Sequence, residues 1–178
     1  WVATYTGGLS FFDWKSPLIN QITHQVNNPN SLGNDNVNKI LEDSKGDIWF
    51  ATDNGISCYF SRTGKWRHVA SDLSCKQYTS LCEISPGKIC AGNYMHGLFI
   101  ISKDKMKTGS RYADIPFVNV LLRKDADNIW VGTDAGVYIY YPAREIFAPF
   151  NLQSKENIQI DRTVSAISGD KEGRVWIA

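Results

Sequence analysis

The sequence predicts an all-β chain, and three observations carry that prediction. A unit of 40 to 48 residues recurs along the 178 residues. Inside each unit, short runs rich in Ile, Val, Trp, Tyr and Phe are bounded by clusters of Gly, Asn, Asp and Ser, the composition of strands and their turns. No window sustains an apolar stripe with a 3.6-residue period, so a helix has no face to bury.

The repeat is read from four ten-residue windows that align without a gap: 40–49, 81–90, 121–130 and 167–176. They close on Trp49, Cys90, Trp130 and Trp176, and Trp1 opens a partial fifth copy, giving spacings of 48, 41, 40 and 46 residues. That is the length of one propeller blade. Three residues before each window stands an apolar opener, Val37, Tyr78, Val118 or Val164. Two residues after the Trp position stands a small one, Ala3, Ala51, Gly92 or Gly132, as expected where two sheets come close.

Each unit then resolves into four strands. The first ends near Glu42 and meets Ser44-Lys45-Gly46, where Gly46 takes positive φ without steric cost, as Gly87 and Gly173 do in their copies. In the fourth copy Asp127 or Asn128 is expected to serve instead. The return strand, Ile48 to Thr52, is almost all apolar and belongs in the middle of the stack. A turn at Asp53-Asn54-Gly55 leads to a third strand, Ile56 to Phe60, and Gly64 precedes an outer strand, Lys65 to Val69. The architecture expected is a β-propeller segment of about four blades of four antiparallel strands, an excerpt of a larger, seven-bladed propeller. The pieces are a partial blade 1–36, blades 37–77, 78–117 and 118–163, and a partial blade 164–178. An open stack exposes an apolar sheet face at each end, so the parent chain is expected to continue in both directions.

Composition narrows the function. Lys plus Arg number 19 and Asp plus Glu 18, so no basic field is present to attract a phosphate backbone. No apolar run approaches the roughly 20 residues needed to cross a bilayer. Cysteines 58, 75, 82 and 90 lack the spacing of a zinc site, and neither a metal nor a cofactor is expected. Cys82 and Cys90 flank one short turn, facing each other in one register and lying apart in the next. All four read best as small buried hydrophobes.

The motif Glu42-Asp43-x-x-Gly46-x-Ile48-Trp49-Phe50-Ala51-Thr52-x-x-Gly55-Ile56, preceded by Asn28-Pro29-Asn30-Ser31-Leu32 and Asn36-Val37, resembles the two-component regulator propeller repeat. The variants at Ile129 to Tyr140 and Asp170 to Ala178 resemble it too, so the likeness covers nearly the whole chain. Departures are Cys90 for Trp, Asn93 for Thr, and Asp127-Asn128 for the turn Gly. The resemblance implies a hybrid two-component sensor of gut Bacteroidetes, a homodimer anchored in the inner membrane with tandem propellers in the periplasm. It further implies glycan oligosaccharides as ligands and transcription of glycan-utilisation genes as output. On that reading the segment itself contacts neither membrane nor nucleic acid.

In a propeller, the turns between the second and third strands line one end of the channel, where loops carry function. Tyr5, Asp53, Asn54, Asn93, Tyr94, His96 and Asp134 are therefore the candidate ligand contacts, by amide and carboxylate pairing with hydroxyls and by stacking. Turn chemistry alone also accounts for Asp53, Asn54 and Asp134. No catalytic residue is assigned. The competing readings are a propeller glycosidase or polysaccharide lyase, which needs a convergent carboxylate pair, and a protein-binding scaffold, which lacks the WD and kelch signatures here.

Overall fold

The computed structural model describes residues 1–4, 6–12, 19–112, 117–150 and 160–178. Every regular element among them is a strand. Val2–Thr4 (β1), Gly8–Phe12 (β2) and Ile19–Ile22 (β3) form a three-stranded sheet. Val37–Glu42 (β4), Ile48–Thr52 (β5), Gly55–Phe60 (β6) and Lys65–His68 (β7) form the first four-stranded meander. The second is Tyr78–Ser85 (β8), Lys88–Asn93 (β9), Gly97–Ser102 (β10) and Lys107–Tyr112 (β11). The third is Val118–Arg123 (β12), Ile129–Thr133 (β13), Gly136–Tyr141 (β14) and Ile146–Pro149 (β15). Ile167–Gly169 (β16) and Val175–Ile177 (β17) pair as a hairpin.

All pairings within the sheets are antiparallel. Successive sheets meet through their first strands, β4 against β8 and β8 against β12, and β8 and β12 also reach the second strands of the sheets before them, β5 and β9. This is the radial stacking of propeller blades. The second strands β5 and β13 are buried along their whole length because a sheet covers each face. Trp49 is 0% and Trp130 8% exposed, whereas Trp1 and Trp176, in the two end sheets, stand at 38% and 58%.

The small residue behind each Trp is where neighbouring blades touch. A Cβ on Gly92 would sit 2.4 Å from Cγ1 of Val118, and one on Gly132 would sit 2.6 Å from Val120 and 2.8 Å from Val164. The equivalents Ala3 and Ala51 share clusters with Val37 and Tyr78. Each opener therefore packs on the small residue of the preceding blade.

The first strands carry one irregularity in common. The ladder skips a residue at Asn38, at Thr79 and at Asn119, a β-bulge at the same place in three blades. Bulges re-aim the side chain of the extra residue, and here each is turned onto the next blade. Asn38 donates to the carbonyl of Tyr78 at 2.9 Å, Thr79 to that of Val118, and Asn119 to that of Val164 at 3.2 Å.

One local expectation changes. Neither Asp127 nor Asn128 adopts positive φ. The fourth hairpin is instead gathered by the Asp125 carboxylate, which accepts from both their amides at 2.8 Å, so no left-handed residue is required. Cys82 and Cys90 are direct cross-strand partners, and all four cysteines are free thiols. Burial pushes the Cys82 thiol up to about 11, and burial with Cys82 beside it raises Cys90 well above the ordinary thiol value.

Gly132→Leu should overpack the third interface and destabilise the fold by roughly 1–3 kcal/mol, read from the urea midpoint. Asn119→Ala should cost about 1–3 kcal/mol, since its amide donates both to Val164 O and to Asp134. Asn119→Thr should recover about half of that loss, the bond to the carbonyl that Thr79 makes in its own blade.

Candidate functional site

The turns after β5, β9 and β13 and the links between blades lie at one end of the sheets. Backbone bonds tie turn to link, from Gly55 N to Lys76 O at 2.8 Å and from Val164 N to Thr133 O at 2.9 Å. Of the residues singled out at this end, several are committed to the scaffold. Asp53 accepts from Asn36 at 3.0 Å and Asn38 at 2.8 Å, and Asp134 accepts from Asn119 at 2.8 Å. These carboxylates hold the bulged amides that latch the next blade. Asn93 is fully buried; its amide donates to Cys75 O at 3.1 Å and its oxygen accepts from the backbone of Met95 and His96.

The second meander departs from the others. Tyr94 stands where Asp53 and Asp134 stand, and Thr79 replaces the amide that such a carboxylate would hold. Tyr94 is 40% exposed, and its ring lies 5.1 Å from that of Phe117, which has φ of 41°. Met95 beside it is exposed. His96 is half-buried, with Nε2 3.3 Å from Ser74 Oγ, and its carbonyl accepts from Arg111 Nε at 3.1 Å. Tyr5 lies outside the described residues. The structure thus brings together Tyr94, Met95 and Phe117 as an aromatic surface, and it sets Asn54 apart from them.

Asn54 opens instead onto a cavity of about 390 Å³ at the outer rim of the first meander, roofed by residues 24–33. The roof is fixed by a chain of hydrogen bonds. Gly33 N donates to Ser57 Oγ at 3.1 Å, and Ser57 Oγ lies 3.1 Å from His68 Nδ1. His68 Nε2 lies 3.2 Å from Pro29 O, and since a carbonyl only accepts, this nitrogen carries the proton and Ser57 donates to Nδ1. His24 Nδ1 likewise donates to Leu32 O at 2.8 Å. Histidines 24 and 68 were not among the sequence candidates. Their signal was a His on either side of the Asn-rich link, one strand apart from Ser57.

Residues 31–54 match the model of the family described as Two component regulator propeller, spanning the link, β4, β5 and the turn after it. The chain carries the two-component regulator propeller repeat. The regulator propeller superposes on the extracellular domain of a hybrid two component system of B. thetaiotaomicron with a TM-score of 0.83, 23% identity, and coverage of 100% of this chain and 24% of that one. A second such extracellular domain from B. thetaiotaomicron gives 0.75 and 20%, covering 97% and 24%. PorZ, a surface component of the type-IX secretion system of Porphyromonas gingivalis, gives 0.72 and 17%, covering 99% and 29%. The chain thus spans about a quarter of the length of these structures. No curated protein matches it.

At the opposite end of the blades the acidic residues of the regulator propeller serve its hairpins. Asp43 accepts from Trp49 Nε1 at 2.9 Å and from the amides of Lys45 and Asp47. Asp170 takes the same bond from Trp176 at 3.2 Å. Where Cys90 replaces the Trp, Ile84 replaces the Asp, so donor and acceptor disappear together. Lys103, from the turn after β10, reaches across to Asp43 and to Asp47 at 2.6 Å, making a buried ion cluster between two blades. Burial alone would raise the Asp43 carboxyl, but hydrogen bonds from Lys103 and Trp49 hold it below the usual carboxylate range. For Lys103, burial opposes the charge while Asp43 and Asp47 raise it. Among the described residues, no three metal-ligating side chains converge.

Lys103→Ala leaves two buried carboxylates without their counterion and should destabilise by about 3–5 kcal/mol near neutral pH. A lowered folded-state value means that Asp43 contributes stability above the unfolded carboxylate range, near 3.9, and loses it as pH falls through its own lower value. In the variant the same carboxylates gain from protonation. The gap to wild type, read from urea midpoints across pH, should therefore narrow as pH falls below about 4.

Proposed function

We propose that this chain is part of the ligand-sensing propeller of a hybrid two-component regulator, outside the cytoplasm, and that it carries no catalysis of its own. The observation that carries this is the in-phase regulator repeat on a fold shared with extracellular domains of hybrid two component systems. The ligand is an oligosaccharide from polysaccharide breakdown, and the output is transcription of genes for its use. Binding would shift an equilibrium between arrangements of a homodimeric parent anchored in the inner membrane.

The carboxylates at both ends of the blades favour a binder over a glycosidase. Asp43, Asp47, Asp53, Asp134 and Asp170 are each engaged in hydrogen bonds or ion pairs within the scaffold. An acid and a base facing across a cleft need free carboxylates at defined separation. What reaches solvent at the turn end includes amides and the Tyr94 face, which suits sugar hydroxyls and ring faces.

Calorimetry of the intact protein against a panel of glycan fragments tests the ligand class. The Tyr94→Ala, His96→Ala double variant should weaken the identified oligosaccharide by about tenfold or more, the loss of one stacking face and its neighbour. Unchanged affinity would remove these residues from the site.

A further inference from the structure

The cavity under residues 24–33 lies beside the scaffold bonds described above. Beneath its mouth pack Leu32, Ile56 and Val69, which are 0%, 2% and 8% exposed. Its mouth carries the exposed amides of Asn27 and Asn54 and the imidazole of His24. No Asp, Glu, Lys or Arg lines it. With Nδ1 of His24 donating to Leu32 O, Nε2 is left as an acceptor, and it has no partner among the described residues. The side-chain amides of Asn27 and Asn54 are likewise without partners there.

We propose that this rim cavity is a binding subsite for one uncharged sugar ring, separate from the Tyr94 surface. The ring is held chiefly through its hydroxyls at the mouth, with the exposed Pro29 and the accessible edge of Val69 as its apolar neighbours. Hydroxyls each offer one donor and two acceptor positions, and an amide answers with the complement, while His24 Nε2 accepts one more. A carboxylate or sulfate would enter a site with no countercharge, which makes its desolvation costly. About 390 Å³ is at the small end of ligand cavities, enough for a ring and its substituents but not for a long oligosaccharide. The roof is already bonded in place through Pro29, Gly33 and Leu32, so little ordering opposes binding. The ring would be one residue of a neutral glycan, and in that respect the inference rests on the sensor reading above.

The test follows the ring resonances of His24 and His68 by NMR in the intact protein. Methyl β-glucoside, methyl β-galactoside and methyl α-mannoside are titrated, with galacturonate as the charged comparison and the glycan panel as the larger probe. At least one neutral glycoside should shift both histidines, with a Kd on the order of 1 mM, as a dozen heavy atoms would give. Galacturonate should bind at least tenfold more weakly. Asn54→Ala, at an exposed position, should weaken the neutral glycoside about fivefold or more with an unchanged thermal midpoint. Equal or tighter binding of galacturonate at these histidines overturns the proposal. If the panel shifts Tyr94 and leaves both histidines unmoved, the subsite falls and the sensor reading stands. If no glycan moves any resonance, both fall.

Discussion

Everything in this fold depends on how closely the first strand of one blade can lie on the second strand of the blade before it. Three features of each interface meet at one residue, the opener. Its side chain packs where the preceding blade has Ala or Gly, and its carbonyl accepts the bulged Asn or Thr of that blade, as at Gly92, Val118 and Thr79. The contact is apolar and close on one side and directional on the other. Apolar packing sets the spacing of the blades; the hydrogen bond sets their register.

In the second meander the repeat loses its signature residues in matched pairs. Trp49 needs an acceptor for its indole N–H once buried, and Asp43 supplies it. Cys90 needs none, and Ile84 occupies the place of the carboxylate. At the other end, Tyr94 and Thr79 replace an Asp–Asn pair together. A buried polar group left without its partner costs more than replacing both members. The third meander differs, since Trp130 is kept while Lys124 stands at the Asp position, its ammonium 5.4 Å from the centre of the indole ring.

This division of labour shapes what the chain offers to a ligand. Many of the carboxylates are absorbed by hairpins, latches and the Lys103 cluster. Amides, imidazoles and an aromatic pair remain at the turn end, a chemistry of recognition rather than of proton transfer. The link between the first two blades is held by both of them, since Asp35 O accepts from Gly8 N of the first sheet at 3.0 Å while His68 holds Pro29. A molecule seated under it would touch the joint between two blades.

The sequence by itself determined the strands, their order, the blade period and the buried Trp positions, because those follow from side-chain alternation, turn chemistry and self-similarity along the chain. It also marked the openers and the small residues facing them. What only the tertiary structure decided was which polar residues are free. Asp53, Asn93 and Asp134 look available in a turn, yet their partners lie 15 to 18 residues away. Asn38 and Asn119 look like ordinary strand residues until a bulge turns them onto a carbonyl in the next blade, 40 or 45 residues on. The rim cavity is likewise made by a link folding back on a strand some 40 residues downstream, where His68 meets Pro29. Local pattern encodes which face a residue shows, but hydrogen-bond partners across blades are fixed only when the sheets close on one another.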